Sequence, residues 1–169
     1  PTYSQQFAEE FKSVMRSREF VPAMILYARM KEKNQLPRES VLTGLLAVCQ
    51  KKAHLDGALE IFHDLFNNGG HPNESAYTSL IRCYCDNGQI DEAFSLIDQM
   101  KKNSLELTLR TYHPVLEAVV RKKDFESAIT IIKEMQKSSV VPRSEQLTLL
   151  LEVAALSGAL RDKNSRDQV

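Results

Sequence analysis

The sequence predicts an all-α solenoid built from helix-turn-helix repeats with a period of 35 residues. Two observations predict this fold class. Apolar residues recur at three- and four-residue spacings along the chain, which is typical of amphipathic helices that bury one face. The chain also aligns with itself when it is shifted by one period, without insertion or deletion. A fixed period of this size, built on a helix pair, is the signature of a solenoid in which each repeat packs on its neighbours.

Three columns of residues define the period. Alanine occupies the first column, large apolar residues occupy the second, and proline occupies most of the third. The columns are Ala23, Ala58, Ala93 and Ala128; Met30, Leu65, Met100 and Met135; and Pro37, Pro72 and Pro142. They predict an N-terminal extension and four complete repeats, at residues 1–3, 4–38, 39–73, 74–108 and 109–143.

Glycine and proline predict where the helices of each repeat begin and end. Gly88 separates the two helices of the third repeat, and Gly69 ends the second helix of the second repeat, since glycine enters the left-handed conformation readily. Pro22 and Pro114 are expected in the first turn of a helix, where a missing N–H costs little. Each repeat is thus predicted to hold two short helices.

The end of the chain predicts a further, unfinished repeat. Residues 144–160 have the pattern of one more first helix, and Gly158 is expected to end it. Residues 161–169 form a polar tail with no face to bury, so we expect a fragment of a longer protein. The exposed apolar face of the last helix also predicts self-association.

Composition restricts the class of partner. The chain has 22 basic and 22 acidic residues, so nucleic-acid binding depends on where the charges lie. Its 3 cysteines are odd in number and lack the spacing of a disulfide framework, which favours a reducing, intracellular compartment. There is no apolar run near the length of a membrane span and no signal peptide. Membrane partners are therefore not expected.

No pattern of catalytic residues is present in the sequence. It contains no nucleophile paired with a general base, no phosphate-binding loop and no metal-ligand motif. Cys83 and Cys85 lie two apart on a predicted helix and point to different faces, so buried thiols are favoured over a zinc site. Asp91 and Glu92 are adjacent and diverge in the same way. We expect no catalytic residue and no cofactor in this segment.

The repeat resembles the pentatricopeptide repeat family. Tyr77-Thr78-Ser79-Leu80-Ile81 and the stretch from Gly88 to Ala93 match its consensus. Tetratricopeptide repeats instead keep a small residue at the position of Ile81, which is large here in every repeat. The resemblance covers residues 4–160. It implies a right-handed superhelix that binds single-stranded RNA, with one base contacted per repeat.

The family's base-contacting positions are the fifth and last residues of each repeat. The resemblance places them at Thr43 with Asn73, Thr78 with Thr108, His113 with Arg143, and Ala8 with Arg38. The first pair is a recognised combination for adenine, whereas the other three pairs depart from the family's code. Arg110, at the family's base-sandwiching position, could stack its guanidinium plane on a base. Asn and Thr at such sites also serve as helix N-caps, so capping alone is the alternative for Asn73 and Thr108.

Basic residues recur at the end of the first helix of the repeats. Arg16, Lys51 and Arg121 share one column and Lys122 follows directly, which predicts a stripe that contacts phosphates. The alternative is a solvated surface in which the cations complement the helix dipole. Asp86 interrupts this column.

A narrower resemblance is to the repeat domain of protein-only RNase P. It is carried by residues 109–116, by Arg121-Lys122, by Val140-Val141-Pro142 and by residues 149–153, with residues 71–78 similar to the preceding repeat. It implies that the segment grips the elbow of a precursor tRNA in a mitochondrion or plastid rather than a nucleus. A metallonuclease domain with Mg²⁺, and a structural Zn²⁺, would lie elsewhere in the parent. The alternatives are another organellar RNA-processing or RNA-stability factor and a protein-binding scaffold.

Overall fold

The computed structural model describes residues 3–17, 19–35, 37–67 and 69–166, and all of the regular structure in these ranges is helical. The helices follow one another as pairs, one pair to each predicted repeat, and a ninth helix comes last. They are α1 (Tyr3–Ser17), α2 (Phe20–Glu32), α3 (Glu39–Lys51), α4 (Leu55–Asn67), α5 (Glu74–Asp86), α6 (Ile90–Lys102), α7 (Leu109–Arg121), α8 (Phe125–Lys137) and α9 (Ser144–Arg166).

Left-handed residues end the helices at the 35-residue period. Gly69 and Gly88 have φ of 69° and 75°, which confirms that these two glycines end α4 and α5. Five other residues take the same conformation at equivalent places, namely Asn34, Ala53, Ser104, Lys123 and Ser139. The residue after each one donates its N–H to a carbonyl five residues back, as in Gln89 to Tyr84 and Val140 to Met135. This is the Schellman termination of a helix.

The columns that define the period lie in the core. All four alanines of the first column are 0% exposed, so they allow the closest helix contacts. Leu65, Met100 and Met135 of the second column are also buried. Tyr77 and Tyr112 are 1% exposed, so they pack in the core and do not offer their rings to a ligand. The contacts divide the chain into two compact units, residues 1–83 and 84–169.

In the first unit, a polar cluster joins α2 to α4. The Tyr27 hydroxyl donates to the carboxylate of Asp64, and both residues are buried. Lys31 adds ion pairs at 2.9 Å to Asp64 and 2.7 Å to Glu60. These contacts link the second helices of the first two repeats, and each buried polar group in the cluster has a partner.

In the second unit, a related ion pair joins α6 to α8. Lys101 lies 2.8 Å from Glu134, and Lys137 lies 2.8 Å from the other oxygen of the same carboxylate. Lys101 and Glu134 stand at the same repeat positions as Lys31 and Asp64 of the first unit. The sequence contains this second-helix pairing twice, two periods apart.

Two predictions about helix ends were wrong. Gly158 does not end α9, which continues to Arg166 and includes six residues of the predicted polar tail. A glycine inside a helix costs only about 1 kcal/mol, and the residues after it include good helix formers. Pro114 lies in the second turn of α7, because the Thr108 cap starts that helix at Leu109. Residues 167–169 lie outside the described residues.

The last helix leaves apolar side chains exposed. Leu147 and Leu151 are 49% and 71% exposed and lie one turn apart on α9. Leu147 belongs to the column that Leu42, Tyr77 and Tyr112 fill with buried side chains. The self-association predicted through this face stays a prediction. Among the described residues, none of the helices is long and apolar enough to span a membrane.

Candidate nucleic-acid interface

Thr43 and Thr78 stand at the fifth position of their repeats, on α3 and α5. Each residue is half-buried, and its hydroxyl oxygen is covered but has no hydrogen-bond partner among the described residues. Thr148, at the same repeat position on α9, instead donates its hydroxyl to the Ser144 carbonyl at 2.9 Å. Thr43 and Thr78 thus keep a hydrogen-bonding capacity that the fold does not use, which is uncommon for buried polar groups.

Asn73 and Thr108 stand at the last position of their repeats and both cap a helix. The Asn73 side-chain oxygen accepts the N–H of Ala76 at 3.0 Å. The Thr108 hydroxyl accepts from the Arg110 N–H at 3.2 Å, while Thr111 accepts the Thr108 N–H at 3.2 Å to complete a capping box. Capping is therefore confirmed for both residues, and base contact by either residue stays a prediction.

His113 and Arg143, predicted as one base-contacting pair, are linked through a residue that the sequence analysis missed. Gln146 is 3% exposed, and its side-chain oxygen accepts the Arg143 N–H at 3.0 Å. Its amide nitrogen lies 3.0 Å from His113 Nδ1. Gln at the third position of a helix is a capping-box signal, and this could have singled out Gln146.

Polar and charged groups surround the outer edge of the His113 ring. Nε2 lies 3.6 Å from Glu117 and 3.7 Å from Glu145, while the His113 side chain is 19% exposed. Arg110 is exposed at the second position of α7, so its guanidinium can reach a ligand. This end of the second unit therefore presents a donor, a cation and two carboxylates.

The predicted phosphate contacts have different local partners. Arg16 and Lys51 are exposed at the ends of α1 and α3. Arg121 lies 3.7 Å from the carboxylate of Asp86, and Lys122 donates to the carbonyl of Gly88 at 3.0 Å. Lys122 therefore holds the turn that follows α5, and Arg121 already has an anionic neighbour. The predicted role of these four cations in phosphate binding stays a prediction.

Neither a metal centre nor a reactive thiol is supported by the described residues. No three of their His, Cys, Asp or Glu side chains are arranged to hold a metal ion. Cys49, Cys83 and Cys85 are buried and are not joined in a disulfide among the described residues. Burial raises the pKa of the Cys49 thiol to about 11, which disfavours the nucleophilic thiolate. The residues of the candidate interface can therefore offer a ligand hydrogen bonds and charged groups.

Helix pairs with polar residues at matching positions define a helical-repeat binding domain. The sequence matches the family model of the pentacotripeptide-repeat region of PRORP, the protein-only RNase P, over residues 2–163. The chain belongs to this family, and the resemblance noted in the sequence is thereby confirmed. No curated protein matches the sequence.

Solved structures give the same fold. The PPR domain of Arabidopsis thaliana protein-only RNase P 1, in complex with tRNA, has a TM-score of 0.81 and 25% identity, covering 97% of this chain and 86% of that one. Nuclear proteinaceous RNase P 2 of A. thaliana has a TM-score of 0.83 and 22% identity. The match covers 94% of this chain but only 36% of that protein. The maize pentatricopeptide repeat protein PPR10 has a TM-score of 0.66 and 22% identity, covering 83% of this chain and 20% of that one. These likenesses confirm the all-α solenoid class.

Proposed function

We propose that this chain is an RNA-binding domain and that it recognises precursor tRNA for a protein-only RNase P. One observation carries the proposal. The chain belongs to the PRORP repeat family, and its fold covers most of a repeat domain whose structure is a complex with tRNA. A folded RNA also accounts for the departure of three of the four residue pairs from the family's single-strand code.

The geometry of the first-helix positions supports this proposal. Within the part of the chain that the structure describes, the Thr43 and Thr78 hydroxyls have no protein partner, so no hydrogen bond there keeps them facing inward. Threonine in a helix populates two side-chain rotamers, so rotation towards a ligand costs little. His113 and Arg110 add a donor and a cation in the second unit. Recognition of one base needs two or three side chains from a helical repeat, and these residues would contribute to that set.

This chain's own residues would bind the RNA, and the cut would be made by other parts of the parent. We propose that the parent is a ribonuclease that removes the tRNA 5′ leader, with Mg²⁺ and Zn²⁺ held outside the segment. Among the described residues, no three His, Cys, Asp or Glu side chains are grouped to hold a metal ion, so none of the chemistry is assigned to them. A mitochondrial or plastid location also remains a proposal.

The salt dependence of precursor-tRNA binding tests the proposed function. Fluorescence anisotropy with a labelled precursor tRNA should give an affinity that falls steeply with salt, because phosphate contacts release counterions. Arg110→Ala should weaken binding about tenfold, the loss expected from one stacking contact worth about 1–3 kcal/mol. The matched control is Lys133→Ala, which removes an exposed cation from α8 and should leave the affinity within about twofold.

Three outcomes would contradict the proposal. Affinity that does not change with salt would favour the protein-binding scaffold, whose supporting feature is the balanced charge of the chain. Preference for an unstructured strand over precursor tRNA would favour another organellar RNA-processing factor. Equal losses for Arg110→Ala and Lys133→Ala would remove the first-helix surface from the site.

A further inference from the structure

The amide of Gln146 has only one possible orientation. A backbone N–H can only donate, so the Gln146 atom 3.0 Å from the Arg143 nitrogen must be the oxygen. The NH₂ end therefore faces His113 Nδ1, also at 3.0 Å. Because NH₂ donates, Nδ1 must accept, and a neutral His113 ring then carries its hydrogen on Nε2.

We infer that Gln146 is a positioning residue that holds His113 in its Nε2–H form, so that the ring donates to a nucleobase edge of the bound RNA. The inference rests on the proposed function for its ligand, but the hydrogen-bond chain behind it does not. Gln146 is almost fully buried. Its side chain bonds to His113, the fifth residue of the fourth repeat, and to Arg143, the last residue of that repeat. It joins the two members of the predicted pair.

The surroundings of Nε2 favour a base over a phosphate. Glu117 and Glu145 place carboxylate oxygens 3.6 and 3.7 Å from this nitrogen. A phosphate accepting from Nε2–H would be repelled by both carboxylates at short range. A base edge offers an acceptor beside a donor, so the acceptor can take the Nε2 hydrogen while the donor binds a carboxylate.

The preceding repeat has different residues at the positions of Gln146 and His113. Thr111 occupies the equivalent third position of α7 and accepts the Thr108 N–H at 3.2 Å. It fulfils the capping part of the role, and the residue equivalent to His113 in that repeat is Thr78. Thr111→Val is therefore the matched control, because it removes the same cap bond from an equally buried site and leaves the His113 network unchanged.

Nitrogen-15 NMR of the histidine rings tests the positioning directly and without RNA. In its neutral form, the wild-type His113 ring should show a protonated Nε2 and an unprotonated Nδ1. In Gln146→Glu both side-chain oxygens only accept, so Nδ1 must become the protonated nitrogen. Thr111→Val should keep the wild-type pattern. Comparison with His113→Asn assigns the signals among the 4 histidines.

A double-mutant cycle tests the effect on RNA. Gln146→Glu and His113→Ala should each weaken precursor-tRNA binding about three- to tenfold, the range for loss of one hydrogen bond. The double variant should be no weaker than His113→Ala alone, because the two residues act as one unit. The salt dependence should keep its slope, since a base contact releases no counterion.

The two arms separate this inference from the proposed function. A wild-type ring protonated on Nδ1, or an unchanged ring in Gln146→Glu, overturns the inference even if precursor tRNA binds well. Additive losses in the cycle, or a reduced salt slope, also overturn it. If Gln146→Glu fails to fold, Gln146→Asn shortens the side chain and should release the ring to a mixture of both forms. If wild-type protein binds no tRNA, the proposed function fails while the NMR result still decides the Gln146–His113 contact.

Discussion

The Tyr27 hydroxyl donates to the carboxylate of Asp64, and this contact joins α2 to α4 through a buried ionised group. Burial opposes ionisation of Asp64, but the hydrogen bonds from Tyr27 and Lys31 outweigh it and hold the pKa of the carboxyl below its usual value. Burial, together with the nearby Asp64, raises the pKa of the Tyr27 phenol. The carboxylate is therefore ionised and the phenol neutral across the ordinary pH range.

Tyr27→Phe should lower the free energy of unfolding by about 1.5–3 kcal/mol, because it removes a hydrogen bond to a charged group. The matched control is Tyr112→Phe, whose hydroxyl lies 3.0 Å from the neutral hydroxyl of Ser138. That variant should lose only about 0.5–1.5 kcal/mol. Urea unfolding would measure both losses from the midpoint shift at constant m value. Equal losses would show that the charge of Asp64 adds nothing.

The ion pairs of Glu134 predict an acid-dependent loss of stability. Hydrogen bonds from Lys101 and Lys137 lower the pKa of the Glu134 carboxyl to about 2, from an unfolded value near 4.5. A lowered carboxyl pKa stabilises the fold above the unfolded value, and this contribution is lost as pH falls from 4.5 through about 2. Because the side chain is partly exposed, we expect about 0.5–1 kcal/mol.

Urea unfolding of Glu134→Gln between about pH 7 and pH 2.5 would check this prediction. The variant should be less stable than wild type at neutral pH, and the difference should shrink as the pH falls. Glu126→Gln removes an exposed carboxylate from the same helix and serves as the control. A difference that grows towards low pH would contradict the sign of the argument.

The 35-residue period and its helix pairs were predictable from the sequence, whereas several helix ends and the role of Gln146 were not. The columns of alanine and of large apolar residues predicted the helix pairs, because the core residues recur at the same period as the helices. Gly69 and Gly88 were recognised as helix ends, but Ala53 and Lys123 take the same left-handed conformation without the usual residue type. Their alignment with Gly88 was the available signal. Gln146 was missed because its role depends on a contact 33 residues away.

Ala53→Gly should raise the free energy of unfolding by up to about 1 kcal/mol. Ala53 has φ of 50°, a left-handed conformation that costs an L-residue about 1–2 kcal/mol. The gain is reduced by the larger entropy of glycine in the unfolded chain. Ala28→Gly, at an exposed position inside α2, should instead lose about 1 kcal/mol. Thermal unfolding would measure both shifts, and a loss for Ala53→Gly would contradict the strain argument.

Asp86→Asn should tighten RNA binding if the basic column contacts phosphate. Asp86 lies 3.7 Å from Arg121, and the amide would leave that guanidinium without its anionic neighbour. We expect about a two- to fivefold gain at low salt, the scale of one exposed ion pair, and a smaller gain at high salt. Asp98→Asn, which removes an exposed carboxylate paired with Lys101 on α6, is the control and should change little. Equal effects of the two variants would point to net charge alone.

Thr43→Val and Thr78→Val should separate ligand binding from folding. Each hydroxyl is buried and has no partner among the residues that the structure describes, so valine of nearly the same shape removes an unsatisfied polar atom. Stability should therefore stay equal or rise by up to about 1 kcal/mol, while RNA affinity falls about three- to tenfold for the loss of one hydrogen bond to a base. Anisotropy and urea unfolding would measure the two quantities on the same samples.

Thr148→Val supplies the opposite pattern at the same repeat position. Its hydroxyl already donates to the Ser144 carbonyl at 2.9 Å, so its removal breaks a bond within the helix and leaves no unused capacity for a ligand. It should change RNA affinity less than Thr43→Val does and should not raise stability. If Thr43→Val and Thr78→Val instead destabilise the fold and leave affinity unchanged, the two hydroxyls serve folding, and the fifth position is not where this domain contacts bases.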